Sequence, residues 1–347
     1  MANKPRIVDI AEVAGVSVAT VSRVLSGKDA VSQDTETKVR QAAAKMGYTR
    51  LRSRQPGEPV KDLKHGFVSL LWGAGRESMS SLGGQNLMMG LTDGLRKYGG
   101  HLGVDHLSSN REGSQIHKAR SLDGVFLHGE IREEDIPDAI RTLPLVWLYN
   151  QGSHEFGDRV QPDHAKVGEL ACRHFAKIGC KRVYCVRDSA LDEPMYSHFR
   201  ANSFLEKART MGLAVDEVEC PLPVDASGRA ETDRMRGTAA AEDAAKVALK
   251  FSKESPRPDA IFVANHLGPY LHMELTKLNI IPMKDVCLVA GDYGNCSQFP
   301  LSPEPITVRI FSHQIGMVAV EQLLLRIRNP GFPPIICLVA PQLHFPE

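Results

Sequence analysis

The sequence predicts a small all-α head followed by a larger α/β body built on parallel sheets. In the first 48 of the 347 residues, apolar side chains recur at helical spacing in three separate registers. From about His65 onward, short β-rich apolar runs alternate with amphipathic segments, a pattern typical of parallel α/β units. A chain of this length with 42% hydrophobic residues can form two or three domains with large cores, which excludes disorder over most of its length.

The head is predicted to contain three short helices, with a tight turn between the first two. Gly15 can adopt the left-handed conformation that ends the first helix, and Ser17 can cap the second by accepting a hydrogen bond from the amide near Thr20. Ser32 caps the third helix and Gly47 ends it. The expected apolar stripes are Ile7, Ile10, Ala11 and Ala14; Val18, Val21, Val24 and Leu25; and Val39, Ala42, Ala43 and Met46.

The second helix combines short outward side chains with one arginine, as a DNA-reading helix requires. Its outward residues are Ser17, Ala19, Thr20, Ser22 and Arg23. Small residues allow close approach to the major groove, and Arg23 can bind a phosphate or, in bidentate fashion, guanine. Residues 1–54 contain ten Lys or Arg against five Asp or Glu, a charge of +5, whereas the remaining 293 residues carry −4. We therefore expect a helix-turn-helix that binds DNA; the alternative is a three-helix protein-interaction module.

Three short motifs of the head are highly specific. They are Asp9-Ile10-Ala11, Ala14-Gly15-Val16-Ser17 and Thr20-Val21-Ser22-Arg23-Val24-Leu25. On these motifs the head closely resembles the DNA-binding domain of LacI/GalR family transcription regulators. The resemblance implies that Val18 and Ala19, which follow the capping serine, select the operator bases. Both side chains are small and apolar, so they would contact thymine methyl groups or tolerate several bases.

Residues 49–64 form a basic linker that departs from the family pattern. In that family a short helix follows the head and inserts a leucine into the minor groove, which kinks the DNA. Here Pro56 and Gly57 would break such a helix, with glycine at the position of the leucine. The linker arginines could instead follow the minor groove or the phosphates; a flexible tether with little groove contact is the alternative. The candidate DNA contacts are Ser17, Val18, Ala19, Thr20, Ser22, Arg23, Ser32, Arg50, Arg52 and Arg54.

The body resembles the two-lobed effector domain of the same family, a fold related to periplasmic sugar-binding proteins. The match includes Gly157-Asp158-Arg159-Val160 and the run Asp259–Asn265. It implies a first lobe of about residues 65–161 and 309–329 and a second lobe of about 162–308 and 330–347. The strand candidates are Phe67–Trp72, Asp123–Leu127, Leu145–Leu148, Arg182–Val186, Ala260–Ala264 and Val286–Ala290, and helix candidates include Ala165–Ile178, Phe199–Met211 and Ile315–Ile327.

The resemblance also implies an effector site in the second lobe. Arg200, Asn265 and Asp292 match the family's ligand-binding pattern. A guanidinium, an amide and a carboxylate can each bind the paired hydroxyls of a sugar. The structural alternatives are that Arg200 pairs with an acidic neighbour and that Asp292 caps a helix or turn.

Three residues of the first lobe are further effector-binding candidates. Trp72, at the end of the first strand, could stack on a ligand ring or belong to the core. Tyr149 and Asn150 lie where the resemblance places a polar contact from this lobe.

No motif of the sequence predicts an enzyme, a cofactor or a metal site. Gly73 and Gly75 lack the third glycine of a nucleotide loop, and Cys172-Arg-His174 lacks the paired spacing of a zinc site. The seven cysteines are expected to be reduced thiols. No apolar run approaches the roughly 18 residues of a membrane span and no secretory signal precedes the head, so we expect a cytoplasmic protein.

These observations together predict a sequence-specific DNA-binding transcription regulator, a repressor, controlled by a small polar metabolite and most readily by a sugar. One head would bind DNA weakly, so we expect a homodimer on a pseudo-palindromic double-stranded operator. No heptad extension follows the last strand candidate, which favours a dimer over a tetramer. The alternatives are a ligand-independent or partner-regulated DNA-binding protein with a degenerate pocket, and a sugar-processing enzyme with an accessory DNA-binding head.

Overall fold

The structure is a computed structural model that describes most of the chain. It describes residues 7–26, 32–45, 63–73, 81–106, 121–129, 131, 133–149, 156–189, 196–221, 238–291 and 299–346. The chain divides into two compact units, Met1–Pro59 and Val60–Glu347, which we call the head and the body. Within the described ranges, no helix is both long enough and apolar enough to cross a membrane.

The head folds as three short helices around a small apolar core. The helices are α1 (Ile7–Ala14), α2 (Val18–Ser26) and α3 (Gln33–Lys45). Gly15, with a φ of 65°, lies in the left-handed region directly after α1, where the sequence predicts it. The core contains residues of all three helices: Ile10, Ala11, Val21, Val24, Val39, Ala42 and Ala43. The predicted stripe of α2 is wrong at Val18, because this side chain lies outside the core and is 46% exposed.

The first lobe of the body is a six-stranded parallel sheet with helices on both faces. Its strands are β1 (Phe67–Trp72), β2 (His101–His106), β3 (Gly124–His128), β4 (Leu145–Leu148), β5 (Asp158–Pro162) and β11 (Ile336–Val339). They lie in the order β11, β5, β4, β3, β1, β2. Helices α4 (Leu82–Arg96) and α10 (Ser312–Arg328) cover one face, and the short α5 (Asp138–Arg141) packs on the other.

The second lobe repeats this plan with one antiparallel strand. Its strands are β6 (Arg182–Asp188), β7 (Ala214–Cys220), β8 (Ala260–Val263), β9 (Cys287–Ala290), β10 (Ile306–Arg309) and β12 (Gln342–His344). They lie in the order β12, β10, β9, β8, β6, β7, and β12 runs antiparallel to β10. Helices α6 (His164–Lys177) and α7 (Tyr196–Met211) pack on one face, and α8 (Thr238–Lys253) and α9 (Gly268–Lys277) on the other. The predicted two-lobed parallel α/β fold is confirmed.

The predicted lobe boundaries are wrong for residues 330–339. The sequence placed them in the second lobe, but β11 pairs with β5 in the first sheet. The cause is the buried carboxylate of Asp158, at the start of β5. It accepts hydrogen bonds from the backbone N–H of Ile335 at 2.9 Å and from the side chains of Gln322 and Arg326 on α10. These bonds hold the segment after α10 against the first sheet, and the chain returns to the second sheet only at β12.

Candidate functional sites

The start of α2 is an exposed edge of the head that offers hydrogen-bonding groups. Ser17 lies one residue before the helix, and its Oγ accepts a hydrogen bond from the backbone N–H of Thr20 at 3.1 Å. The hydroxyls of Ser17 and Thr20 are 2.8 Å apart and hydrogen-bond to each other. Because a hydroxyl has one donor and two acceptor positions, both groups keep capacity for a further partner.

Short side chains surround this edge. Val18 and Ala19 are exposed. The exposed Ser32 lies before α3, where its hydroxyl is 2.8 Å from that of Thr35. The start of α2 can therefore approach a flat or grooved partner without steric obstruction by long side chains.

The remaining DNA-contact candidates fall outside what the structure describes. Ser22 and Arg23 belong to α2, but their side chains are not described. The linker residues Arg50, Arg52, Arg54, Pro56 and Gly57 lie outside the described residues altogether. For all ten candidate residues, contact with DNA stays a prediction.

A cluster of buried polar side chains lies at the carboxyl ends of β6 and β8. Asp188, the last residue of β6, is 2% exposed and accepts hydrogen bonds from the Ser197 hydroxyl at 2.5 Å and from the Asn265 amide at 2.7 Å. The Asn265 oxygen accepts from the backbone N–H of Leu267 at 3.1 Å. Asn265 is therefore held at both ends of its amide group, in one orientation.

Arg200 of α7 belongs to the same region of the second lobe and is 1% exposed. Its Nε donates to Nδ1 of His164 at 3.3 Å, and its Nη1 donates to the Ala264 carbonyl at 3.4 Å. Its Cζ lies 4.6 Å from the centre of the Tyr196 ring, a cation–π contact. A Cβ on Gly291, directly after β9, would lie 3.4 Å from Nη1. The guanidinium is thus adjacent to the ends of β8 and β9 and lies over the Tyr196 ring.

The electrostatics of the cluster keep His164 neutral. Burial, together with the charge of Arg200, lowers the pKa of His164 well below its ordinary value. Its Nδ1 can therefore accept the hydrogen bond that Arg200 donates. Among the described residues, no carboxylate forms an ion pair with Arg200, so the predicted acidic neighbour is not found there. Asp292 lies outside the described residues.

An aromatic cluster lies at the carboxyl ends of the strands of the first sheet. Trp72 ends β1, and its ring centre lies 4.2 Å from that of His128, in an edge-to-face arrangement. The His128 ring in turn lies 5.3 Å from that of Tyr149. Trp72 has no exposed surface and belongs to the lobe's core, which fits the core role that the sequence left open. Asn150 lies outside the described residues.

The sequence singled out Arg200, Asn265, Trp72 and Tyr149 as candidates for effector binding, but not the residues that contact them. In the second lobe it overlooked Asp188, Ser197 and His164, and in the first lobe His128. Asp188 and His128 could have been found, because each ends a strand of a parallel sheet, where ligand-binding groups collect. His164 and Ser197 gave no such signal, since only the folded chain places them beside Arg200 and Asp188.

Comparison with known proteins identifies both units. The model for bacterial regulatory proteins of the lacI family matches residues 6–50, and the model for a periplasmic binding protein-like domain matches residues 172–345. The maltose regulon regulatory protein MalI of Escherichia coli is 28% identical over 191 residues, 52% of this chain and 53% of that protein. The HTH-type transcriptional repressor PurR of Photobacterium profundum is 21% identical over 349 residues, 97% of this chain and 96% of that protein.

One solved structure has a similar fold over nearly the whole chain. The lac repressor dimer bound to operator and the anti-inducer ONPF matches 99% of this chain and 98% of that chain, with a TM-score of 0.60 and 17% identity, which shows the fold. The periplasmic binding protein-like model covers half of the chain, and the lacI model covers the helix-turn-helix described above. This chain belongs to the LacI family of DNA-binding transcription regulators, with a helix-turn-helix head and a periplasmic binding protein-like body.

Proposed function

We propose that this family member is a homodimeric repressor that binds a pseudo-palindromic operator and responds to a sugar bound in its body. The observation that supports the sugar most directly is the polar cluster of Asp188, Arg200 and Asn265 at the carboxyl ends of the second sheet. Parallel α/β sheets bind ligands at this end of their strands. A fixed amide, a carboxylate and a planar guanidinium offer the mixed donors and acceptors that vicinal hydroxyls need.

The relatives support the repressor and the sugar. PurR is named as a transcriptional repressor and aligns over nearly the whole chain, and MalI is named for a maltose regulon. A dimer is supported by the affinity that one head can reach. Residues 1–54, with a charge of +5, make few contacts with DNA, and two heads on one duplex add their binding energies. Since bacterial operators lie on the chromosome, such a regulator would act in the cytoplasm.

A ligand-independent regulator is the second candidate. One observation favours it: Asn265 and Asp188 hydrogen-bond to each other, as they would in a pocket that had become purely structural. The two candidates differ in whether any sugar stabilises the protein and changes its affinity for the operator.

Selection of binding sites from random duplex DNA tests the proposed DNA binding. The wild type should enrich one pseudo-palindrome. Arg23→Ala should relax the preference at one base pair of each half-site, since one bidentate contact discriminates by about 1–3 kcal/mol. The matched control is Arg96→Ala, which removes an exposed arginine of α4 outside the head and should leave the selected sequence unchanged. Salt-sensitive binding with no enriched sequence would refute the proposal.

A further inference from the structure

The body holds the chain firmly at the point where the linker enters the first lobe. Asp123, directly before β3, directs both carboxylate oxygens at four successive backbone amides. Oδ1 accepts from Lys64 at 2.6 Å and from His65 at 3.0 Å, and Oδ2 accepts from His65 at 3.0 Å, Gly66 at 2.7 Å and Phe67 at 3.2 Å. Hydrogen bonds to a charged acceptor are stronger than neutral ones, so the segment's path is closely defined.

Two further features fix the same segment. The side chain of Leu63 is 6% exposed and belongs to the first lobe's core, where a Cβ on Gly100 would lie 2.5 Å from its Cδ1. Gly66 adopts a φ of 74°, a turn conformation that side chains disfavour, and its carbonyl accepts the N–H of His101 at 2.8 Å. We call Leu63, Asp123 and the backbone of residues 64–67 the linker clamp.

The second lobe contains a smaller version of this arrangement. Asp259 directly precedes β8, as Asp123 precedes β3, and it accepts from the backbone of Lys181 at 2.6 Å and Arg182 at 3.0 Å. These amides lie at the start of β6, the strand that corresponds to β1. The first-lobe carboxylate reaches further upstream, to Lys64, the last residue of the linker and three residues before β1. The start of a strand does not require a contact so far upstream.

We propose that Asp123 is a positioning residue that fixes where the linker leaves the first lobe, and so sets the spacing of operator half-sites that the dimer accepts. The inference rests on the proposed function. In a dimer, each head is tied to its body by the chain between them, so a fixed exit point limits the separations that the two heads can span. A change in the first lobe then reaches the head through this clamp.

Spacing selection tests the clamp. The experiment uses a library of DNA duplexes that carry the two half-sites enriched by the wild type. Across the library, the spacing between the half-sites takes every value up to about one helical turn beyond the preferred one. In Leu63→Ala/Asp123→Ala the chain is free as far as Gly66, whose carbonyl still accepts the His101 N–H, so its reach grows by about three residues, roughly 10 Å or three base pairs for each head. The wild type should enrich a narrow range of spacings, and the double variant a range wider by up to about twice the gain per head, since both heads gain reach.

The matched control is Leu213→Ala/Asp259→Ala, which makes the same substitutions at the corresponding edge of the second lobe. Both double variants should melt at lower temperature, but only the clamp variant should widen the spacing range. An unchanged range in the clamp variant, or equal widening in both, would overturn the inference. If the clamp variant does not fold, Asp123→Asn is assayed instead. Because it keeps one acceptor oxygen and leaves Leu63 in the core, it should widen the range by less than the double variant, and an unchanged range would again overturn the inference. A wild type that enriches no half-site would instead refute the proposed function.

Discussion

Single residues decide how the polar cluster of the second lobe is built. Asp188 has almost no contact with solvent, and both its oxygens accept hydrogen bonds from side chains. Its partners are thereby held in one orientation, which would lower the entropy cost of binding at the proposed effector site. Arg200 is oriented in the same way, by His164 and the Tyr196 ring. Removal of the Asp188 carboxylate would leave both the Ser197 hydroxyl and the Asn265 amide without this acceptor. The substitution should therefore disturb the orientation of both side chains.

A partly buried histidine of the first lobe, His128, is expected to make stability depend on pH. Burial lowers the pKa of His128 to about 4, although its bond to the Leu148 carbonyl opposes the shift. Above pH 6.5, the ordinary value, the ring is neutral in both the folded and the unfolded chain. Between pH 6.5 and about 4 the unfolded chain binds a proton that the folded chain does not, so the free energy of unfolding falls as pH falls.

Unfolding in urea at pH of about 7.5 and about 5.0 checks this dependence. Between these pH values His128→Gln should lose about 1–2 kcal/mol less stability than the wild type, since one pH unit corresponds to at most about 1.4 kcal/mol per histidine. His101→Gln, which replaces an exposed histidine of β2, serves as the control and should follow the wild type. Equal losses in all three proteins would show that His128 does not set the dependence.

At the scale of the elements, the close packing of α4 against α10 in the first lobe depends on glycine. A Cβ on Gly90 of α4 would lie 2.0 Å from the His313 carbonyl oxygen, and a Cβ on Gly316 of α10 would lie 2.6 Å from the Leu87 carbonyl oxygen. The two helices therefore touch backbone to backbone at these positions. Gly168 has the same role between α6 and α7, where a Cβ would lie 2.0 Å from the Arg200 carbonyl oxygen.

Gly90→Ala should destabilise the body by about 1–3 kcal/mol, because the added methyl group forces the helices apart and outweighs the gain in helix propensity. Gly83→Ala is a matched control in the same helix. A Cβ there would meet its nearest atom at 3.7 Å, so this change should be neutral or stabilising. Thermal unfolding of both variants checks the comparison, and a melting temperature for Gly90→Ala at or above that of the wild type would contradict the described packing.

The elements also show how much of the fold the sequence predicts. Two central strands, Phe67–Trp72 and Leu145–Leu148, have the predicted bounds, because strands buried on both faces are continuous apolar runs. The central strands β5 and β10 were overlooked because polar residues interrupt their short apolar runs. The edge strand β2 was overlooked because it contains no such run and none of its residues is fully buried. The pairing of β11 with β5 could not be predicted from neighbouring sequence, since it depends on contacts of Asp158 with residues far along the chain.

For the whole molecule, prediction of the sites was limited by partners that are distant in sequence. Asn265 could be predicted from its place after a strand, whereas its bond to Asp188 joins residues 77 apart in the chain. Likewise Asp123 gave no sequence signal, although it holds the amides of residues 64–67.

The proposed function requires that sugar binding and operator binding are coupled in one protein. The affinity of the wild type for its selected operator is measured with and without the mono- or disaccharide that most raises its melting temperature. We expect this sugar to change the operator affinity by about 5–150-fold, the range that corresponds to a coupling of about 1–3 kcal/mol. An operator affinity that no sugar changes would refute the coupling and favour the ligand-independent regulator.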